Sequence, residues 1–175
     1  NGCVGSEMGI RDRGVVDYSP GAYNADSVFM RLESGYLGNS GIKMYGSYSY
    51  TAADEWANAG RDYRHHVDFK ATKEWGSRGT SSLYVAYGYQ KNFRVMPRTL
   101  AQWEAANAQG DNFSVGSHPF TYTPGSSDYY QNNALRRESI MVSFQNAFDI
   151  TKSIHLHVTP YFRWVDAYYN GQQIL

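Results

Sequence analysis

Histidine is the residue type in this chain that could most readily ligate a metal, and there are five of them. His65 and His66 are adjacent, so in a strand they point to opposite faces and cannot chelate one metal. His155 and His157 would share a face and could supply half of a site. No cysteine or carboxylate stands beside them in the sequence to complete a ligand set. We therefore expect these two histidines to be polar residues facing a water-filled interior, and we expect no metal.

Catalytic patterns are absent from the sequence. It contains no G-x-S-x-G elbow, no Walker A loop, no G-x-G-x-x-G and no H-E-x-x-H. Its carboxylates are numerous, but no pair is spaced for acid/base work. The single cysteine, Cys3, excludes an internal disulfide or a CxxC zinc site. The sequence predicts a protein that is not an enzyme and that carries no cofactor.

Aromatic residues in the predicted loops are the better candidates for ligand binding. Such side chains offer a large contact area with a polar handle, which suits bulky or sugar-like ligands. The alternative, which carries similar weight, is that they pack the loops against one another. The candidates are Trp56, Trp103, Tyr122, Tyr129 and Tyr130.

Composition excludes several protein classes. Sixteen Lys and Arg balance sixteen Asp and Glu, so the chain lacks the cationic surplus that nucleic acids require. Aromatic residues make up 16% of the chain, which argues against disorder. No stretch reaches the roughly 18 apolar residues of a membrane helix. Membrane strands would escape that test, because their apolar residues alternate with polar ones.

Alternation with a period of two residues is the dominant pattern, and it is clearest from Tyr63 to Trp75. One parity there is mostly apolar, and the other is strongly polar. Lys73 breaks the apolar parity, but beside Gly76 its long side chain can reach water. Five further segments alternate in the same way: 28–33, 42–51, 83–90, 139–145 and 154–164. Pro160 removes a ladder hydrogen bond, so we expect a bulge or a strand end there.

The connections between these strands differ in length. Short turns are predicted at Gly35–Gly41, Gly76–Ser81 and Asp149–Lys152, and longer links at Ala52–Asp62 and Val95–Asn133. This gives three hairpins with short turns at one end and long loops at the other, as in outer-membrane barrels. Within the longest link, a capping pattern from Thr99 to Gln102 predicts a short helix over 100–108.

A one-sided apolar strand also fits a soluble β-sandwich, whose inner face packs on a second sheet. Three features favour lipid instead. Aromatic residues stand near the predicted strand ends on the apolar parity, the opposite parity is unusually charged, and the link 95–133 is long for a compact soluble domain. We therefore expect all-β, antiparallel transmembrane barrel strands, about six in number, as an incomplete barrel.

The segments SVFMRLESGYLGNSGIKMYGSYSY and DEWANAGRDYRHHVDFKATKEWG resemble the barrel of a TonB-dependent outer-membrane receptor. The later pieces TLAQWEAANAQ and FDITKSIHLHVTPYFRW are similar to its following loop and strands. The similarity is one of pattern over residues 20–169, and it assigns 26–169 to the barrel and 95–133 to a long extracellular loop. Residues 1–25 stay unassigned, and 170–175 are interpreted as a truncated end, so we expect a fragment of a longer protein.

The resemblance implies a location in the outer membrane of a Gram-negative bacterium, in contact with its lipid. It implies active uptake of a bulky nutrient such as a ferric siderophore, energised by the TonB complex through a plug domain that this sequence lacks. Two alternatives stay open. One is a passive porin-type channel, and the other is a soluble β-sandwich that binds carbohydrate.

Overall fold

The computed structural model describes residues 13–55, 60–93, 99–108, 124 and 129–169. The fold is all-β: over these ranges it is an open antiparallel sheet, accompanied by one short α-helix and two 3-10 turns. The strands are β1 Arg13–Gly21, β2 Ala25–Tyr36, β3 Ile42–Asp54, β4 Arg61–Glu74, β5 Gly79–Phe93, β6 Ala134–Thr151, β7 Ile154–Val158 and β8 Tyr161–Tyr169. The helix α1 is Leu100–Ala108. The 3-10 turns are Gly76–Arg78 and Tyr130–Asn133.

The strands form an up-and-down meander in which each strand pairs with the next, from β1 to β7. The exception is β8, which pairs with β6 rather than with β7. β7 lies along Asn146–Thr151 of β6 and β8 along Leu135–Ser143, so the two short strands occupy one column of the sheet. Thr159 and Pro160 separate them, as the missing donor of the proline predicts.

The registers give the sheet two chemically different faces. Cross-strand partners share a face, so the row through Met30, Tyr48, Val67, Tyr87 and Ile140 lies on one side. We call this side, which carries the apolar parity of every strand, the apolar face. The opposite side, which carries the alternate residues, is the polar face. The period-two pattern of the sequence therefore runs in phase across the whole sheet.

The two ends of the sheet differ in their connections. The turn end carries the links at 37–41, 75–78 and 152–153, and the loop end carries the links at 55–60 and 94–133. A third connection at the loop end, residues 22–24, is a tight turn in which Tyr23 and Asn24 have positive φ values of 57° and 50°. The long link 94–133 lies at the loop end as predicted, but the link 55–60 has six residues against five for the link 37–41, so a single long connection accounts for the asymmetry.

Burial is sparse in a single layer of strands. In the described part of the chain, the buried residues other than glycine are Ala52, Phe93, Ala134, Ser81, Asn133 and Ser143. Four of these six, Ala52, Phe93, Asn133 and Ala134, lie at the loop end of β3, β5 and β6. Within the same residues, no helix is long and apolar enough to cross a membrane.

Among the residues that the structure describes there are eight strands, where the sequence predicted about six. One additional strand, β1, lies in the segment 1–25 that the sequence did not assign, where glycines and one proline obscure its alternation. The other arises because Pro160 divides the predicted strand 154–164 into β7 and β8. The helix, by contrast, has the predicted bounds 100–108.

Candidate ligand-binding surface at the loop end

Phe93 is the centre of the most buried part of the described chain. It is the last residue of β5, its side chain is 7% exposed, and its backbone pairs with Ala134 of β6. The ring of Tyr130 packs on it with a centroid distance of 5.1 Å, and Tyr129 meets Tyr130 edge-on at 5.0 Å. The last part of the long link, at Tyr129 and Tyr130, is thereby packed against the loop end of the sheet.

Gly60 allows Phe93 to lie this close to the β3–β4 link. Its φ is +129°, a backbone conformation that residues with a Cβ rarely adopt. A Cβ on Gly60 would also stand 2.6 Å from two ring carbons of Phe93. The glycine is therefore required for both its backbone conformation and the close approach of the ring.

The carboxylate of Asp62 connects β4, on which it lies, to the end of β5. One oxygen accepts a hydrogen bond of 2.7 Å from the backbone N–H of Phe93, and the other accepts one of 2.9 Å from the Asn92 amide. Glu55 reaches the same carboxylate from the β3–β4 link. Partial burial, together with its hydrogen bond to Asp62 and the negative charge of Asp62, raises the pKa of Glu55 from 4.5 to about 7.

An ion-pair network ties the remaining loop-end connections together. Arg61, the first residue of β4, contacts Asp26 of β2 at 2.9 Å and Asp54 of β3 at 3.0 Å. Asp54 also accepts a hydrogen bond of 2.6 Å from Asn24 in the β1–β2 turn. The rim from β1 to β4 is thus fixed by charged side chains, beside the aromatic packing around Phe93.

The polar face has its own network, centred on Asp68 of β4. Its carboxylate accepts hydrogen bonds from Tyr84 at 2.5 Å and from Ser47 at 3.4 Å, and it pairs with His66 at 3.1 Å. Further along the same face, the guanidinium of Arg31 lies 3.8 Å above the ring of Tyr45. Polar side chains on this face therefore contact one another rather than a second layer.

The predicted ligand-binding residues are distributed unevenly. Trp56 and Tyr122 lie outside the described residues. Trp103 lies on α1 with 38% of its side chain exposed, whereas Tyr129 and Tyr130 are half-buried and in mutual contact. The contact of Tyr130 with Phe93 supports the packing role that the sequence left open. Ligand binding by the five aromatic residues stays a prediction.

The histidine expectations have mixed outcomes. His155 and His157 lie on β7, but a carboxylate does stand near them: Asp149 pairs with His155 across the β6–β7 hairpin, 2.5 Å away. Sequence spacing missed this contact because the turn folds Asp149 back. Within the described ranges, no group of three or more metal-ligating side chains occurs.

Asp62, Glu55 and Phe93 were missed as functional candidates. Asp62 and Phe93 lie at strand ends and Glu55 lies in the β3–β4 link, so only the folded arrangement brings them together. The one usable signal was Gly60 before the charged pair Arg61-Asp62, a combination that marks a tight backbone approach beside a capping carboxylate.

Comparisons with protein-family models, with curated proteins and with solved structures found no match to this chain.

Proposed function

We propose that this chain forms part of the barrel of a TonB-dependent outer-membrane receptor, and that the whole receptor takes up a bulky nutrient such as a ferric siderophore. The observation that carries the proposal is the exposed apolar face. Its large side chains stand open on every strand except β3, from Val16 at 75% exposed and Leu32 at 71% to Val67 at 41% and Leu156 at 45%, whereas those of β3 are half-buried. A continuous apolar surface of this extent marks contact with lipid or with another protein.

The arrangement of polar groups around this face supports lipid as the contact. From the row of Val67, two tyrosine hydroxyls reach polar partners nearer the loop end: Tyr48 contacts His65 at 2.8 Å, and Tyr87 contacts Glu138 at 2.8 Å. At the turn end, the Trp75 indole donates to Ser81 at 3.1 Å. Aromatic rings with a polar handle are enriched where a membrane protein meets the interface.

The height of the apolar band supports the same reading. On β4, the eight steps from His65 to Lys73, the polar residues that bound the apolar ones on this face, span about 26 Å along the strand. With the usual tilt of about 40°, this distance projects to about 20 Å, which is comparable with the apolar band of about 25 Å of an outer-membrane barrel. The side chain of Lys73 turns away from the apolar residues, because its ammonium group donates a hydrogen bond to the backbone carbonyl of Ser40 in the β2–β3 turn.

Three aromatic residues that the sequence placed near strand ends, as part of an aromatic girdle, do not fit that position. Phe162 and Trp164 pair with Val142 and Ile140, in the middle of the column that β7 and β8 share, rather than at a strand end. Phe93 is buried under Tyr130. In the proposed membrane, the interface at the loop end is therefore formed mainly by tyrosines.

The choice of a TonB-dependent receptor among barrels rests on the sequence resemblance over residues 20–169. The open sheet is consistent with it, because in the described part of the chain β1 forms one edge and the β7–β8 column the other, and further strands could pair at these edges. The polar face would then line the interior, and the loop-end surface around Phe93 would belong to the extracellular side. The TonB complex would supply the energy for uptake.

The experiment that tests this proposal is a blot of outer-membrane fractions from the source cells, with samples run heated and unheated. An antibody against residues 111–130 should detect a heat-shifted band several times larger than 19.8 kDa. A soluble band near 19.8 kDa would instead support a β-sandwich. Uptake that survives collapse of the proton-motive force would indicate a passive channel, because only the TonB-dependent receptor requires that energy.

A further inference from the structure

A cleft on the polar face, near the turn end, differs in charge from the rest of that face. It has a volume of about 240 Å³ and is lined by residues of β2, β3 and β4. Its charged lining consists of three cations, Arg31, Lys43 and Lys70, and one carboxylate, Glu33. Positive side chains therefore dominate the cleft, although the chain as a whole is neutral.

Two of the three cations are already neutralised. The Arg31 guanidinium lies 2.7 Å from Glu33, and the Lys43 ammonium lies 2.9 Å from Glu74 just outside the cleft. Lys70 has no carboxylate within ion-pair distance among the residues that the structure describes. The cleft therefore keeps one uncompensated positive charge, which belongs to Lys70.

The carboxylate of Asp68, two residues before Lys70 on the same face, is held by His66, Tyr84 and Ser47 rather than by Lys70. The direct cross-strand partners of Lys70 are Tyr45 on β3 and Tyr84 on β5. The Tyr84 hydroxyl donates to Asp68, whereas the Tyr45 hydroxyl donates to no group in the described part of the chain. Arg31 stacks on the Tyr45 ring at 3.8 Å and fixes its orientation.

A β-bulge shapes the edge of the cleft. The pairing of β2 with β3 shifts between Glu33 and Tyr36, and Gly35 adopts a φ of +60° there. The Ser34 hydroxyl accepts the hydrogen bond of the Met44 N–H at 3.1 Å in place of a ladder partner. Bulges of this kind redirect side chains and are frequent beside binding sites.

We infer that this cleft binds an oxyanion, a carboxylate or phosphate group, between the Lys70 ammonium and the Tyr45 hydroxyl. Both groups are donors, and an ammonium facing an oxyanion makes a charge-assisted hydrogen bond. The volume is below the range of about 300–1,000 Å³ for whole ligands, so it suits a small anion or one anionic group of a larger molecule. The inference does not depend on what covers the apolar face.

The test is a calorimetric titration of the full chain in non-ionic detergent, with sodium phosphate and sodium succinate as separate probes and with sodium chloride at equal ionic strength as the blank. Saturable binding is expected for at least one probe, and the tighter probe identifies the preferred geometry of the anion. Absence of saturation for both probes at about 10 mM, where a site with a Kd near 1 mM would be filled, would overturn the inference.

Variants locate the site. Lys70→Met should weaken binding at least tenfold, and Lys152→Met, which removes an exposed lysine in the β6–β7 turn, should leave it unchanged. Tyr45→Phe keeps the ring under Arg31 and removes only the hydroxyl, so it should weaken binding several-fold without altering the sheet. Equal binding by the wild type, Lys70→Met and Tyr45→Phe would overturn the site. That result would leave the membrane proposal standing, because it concerns the other face.

Discussion

His65 and His66 are neighbours in the chain, but they belong to opposite chemical environments of the sheet. His65 lies on the apolar face, with its Nδ1 2.8 Å from the Tyr48 hydroxyl and with the ring of Tyr50 at 4.9 Å. His66 lies on the polar face, with its Nε2 3.1 Å from the Asp68 carboxylate. One residue step therefore separates a tyrosine cluster from a charged network, as strand geometry requires.

This separation predicts that a charge is tolerated on one face only. Val67→Arg places a cation in the middle of the apolar face, where a lipid contact would make it cost about 2–4 kcal/mol. We expect it to block membrane assembly of the whole protein, as measured by the heat-modifiable band. Leu156→Arg should behave in the same way. The matched control is Ser49→Arg, on the polar face opposite His66, which should assemble. Normal assembly of both apolar-face variants would remove the case for lipid.

A second prediction concerns stability alone: substitution of Gly79 should destabilise the sheet. The φ of Gly79 is +136°, and a Cβ there would collide with the carbonyl oxygen of Ala147 and stand 2.9 Å from the Cα of Phe148. Because the obstacle is backbone, Gly79→Ala should destabilise the β4–β5 hairpin by about 3 kcal/mol or more, the sum of backbone strain and overpacking. Gly76 has a φ of +65° and open space around it, so Gly76→Ala should cost only about 1–2 kcal/mol. Denaturant midpoints that are equal for the two variants would contradict this account.

Much of the sheet was predictable because its signal is local. The alternation around Val67 and Phe69 depends only on the two faces of a strand, and the helix at 100–108 depends on its capping pattern. β1 escaped prediction because Gly14, Pro20 and Gly21 interrupt its pattern. Its nine residues are held by pairing with β2, which is a tertiary effect that the sequence does not display.

The loop-end surface and the cleft were harder to predict for a related reason. Asp62 contacts Phe93, 31 positions later in the chain, and no spacing rule connects two residues across a pair of strands. The unpaired charge of Lys70 is visible only once the registers show Tyr45 and Tyr84, not a carboxylate, beside it. Local patterns predicted the faces, and long-range pairing determined which side chains meet on them.

The Glu55–Asp62 contact predicts a pH dependence at the loop end. The folded-state pKa of Glu55, about 7, lies above its ordinary value of 4.5. The folded protein therefore holds a proton that the unfolded chain releases, so this contribution to stability is full below about pH 4 and is lost as the pH rises through 7. Protection of the Phe93 amide against hydrogen exchange, corrected for the intrinsic rate, should fall between pH 5.5 and 8, a window that we set around that pKa.

The variant Glu55→Gln checks the origin of this pH dependence. Glutamine keeps the hydrogen-bonding shape of the protonated acid but cannot ionise, so the protection of the Phe93 amide should become nearly flat across the same pH range. Glu104→Gln removes an exposed carboxylate of α1 and should leave the wild-type dependence in place. A dependence that persists in Glu55→Gln would assign the titration to another group.

Variants around Tyr130 can distinguish whether the long link packs against the sheet or binds the ligand. Because the ring of this tyrosine lies on Phe93, a deletion that includes Tyr130 would disturb the end of the sheet as well as the loop. We therefore expect deletion of residues 111–128, which spares Tyr129 and Tyr130, to leave barrel assembly intact and to weaken uptake of the ligand. Tyr130→Ala should instead lower the protection of the Phe93 amide, with Tyr130→Phe as the control that keeps the ring. Uptake kinetics unchanged by the deletion would show that these residues are not part of the binding surface.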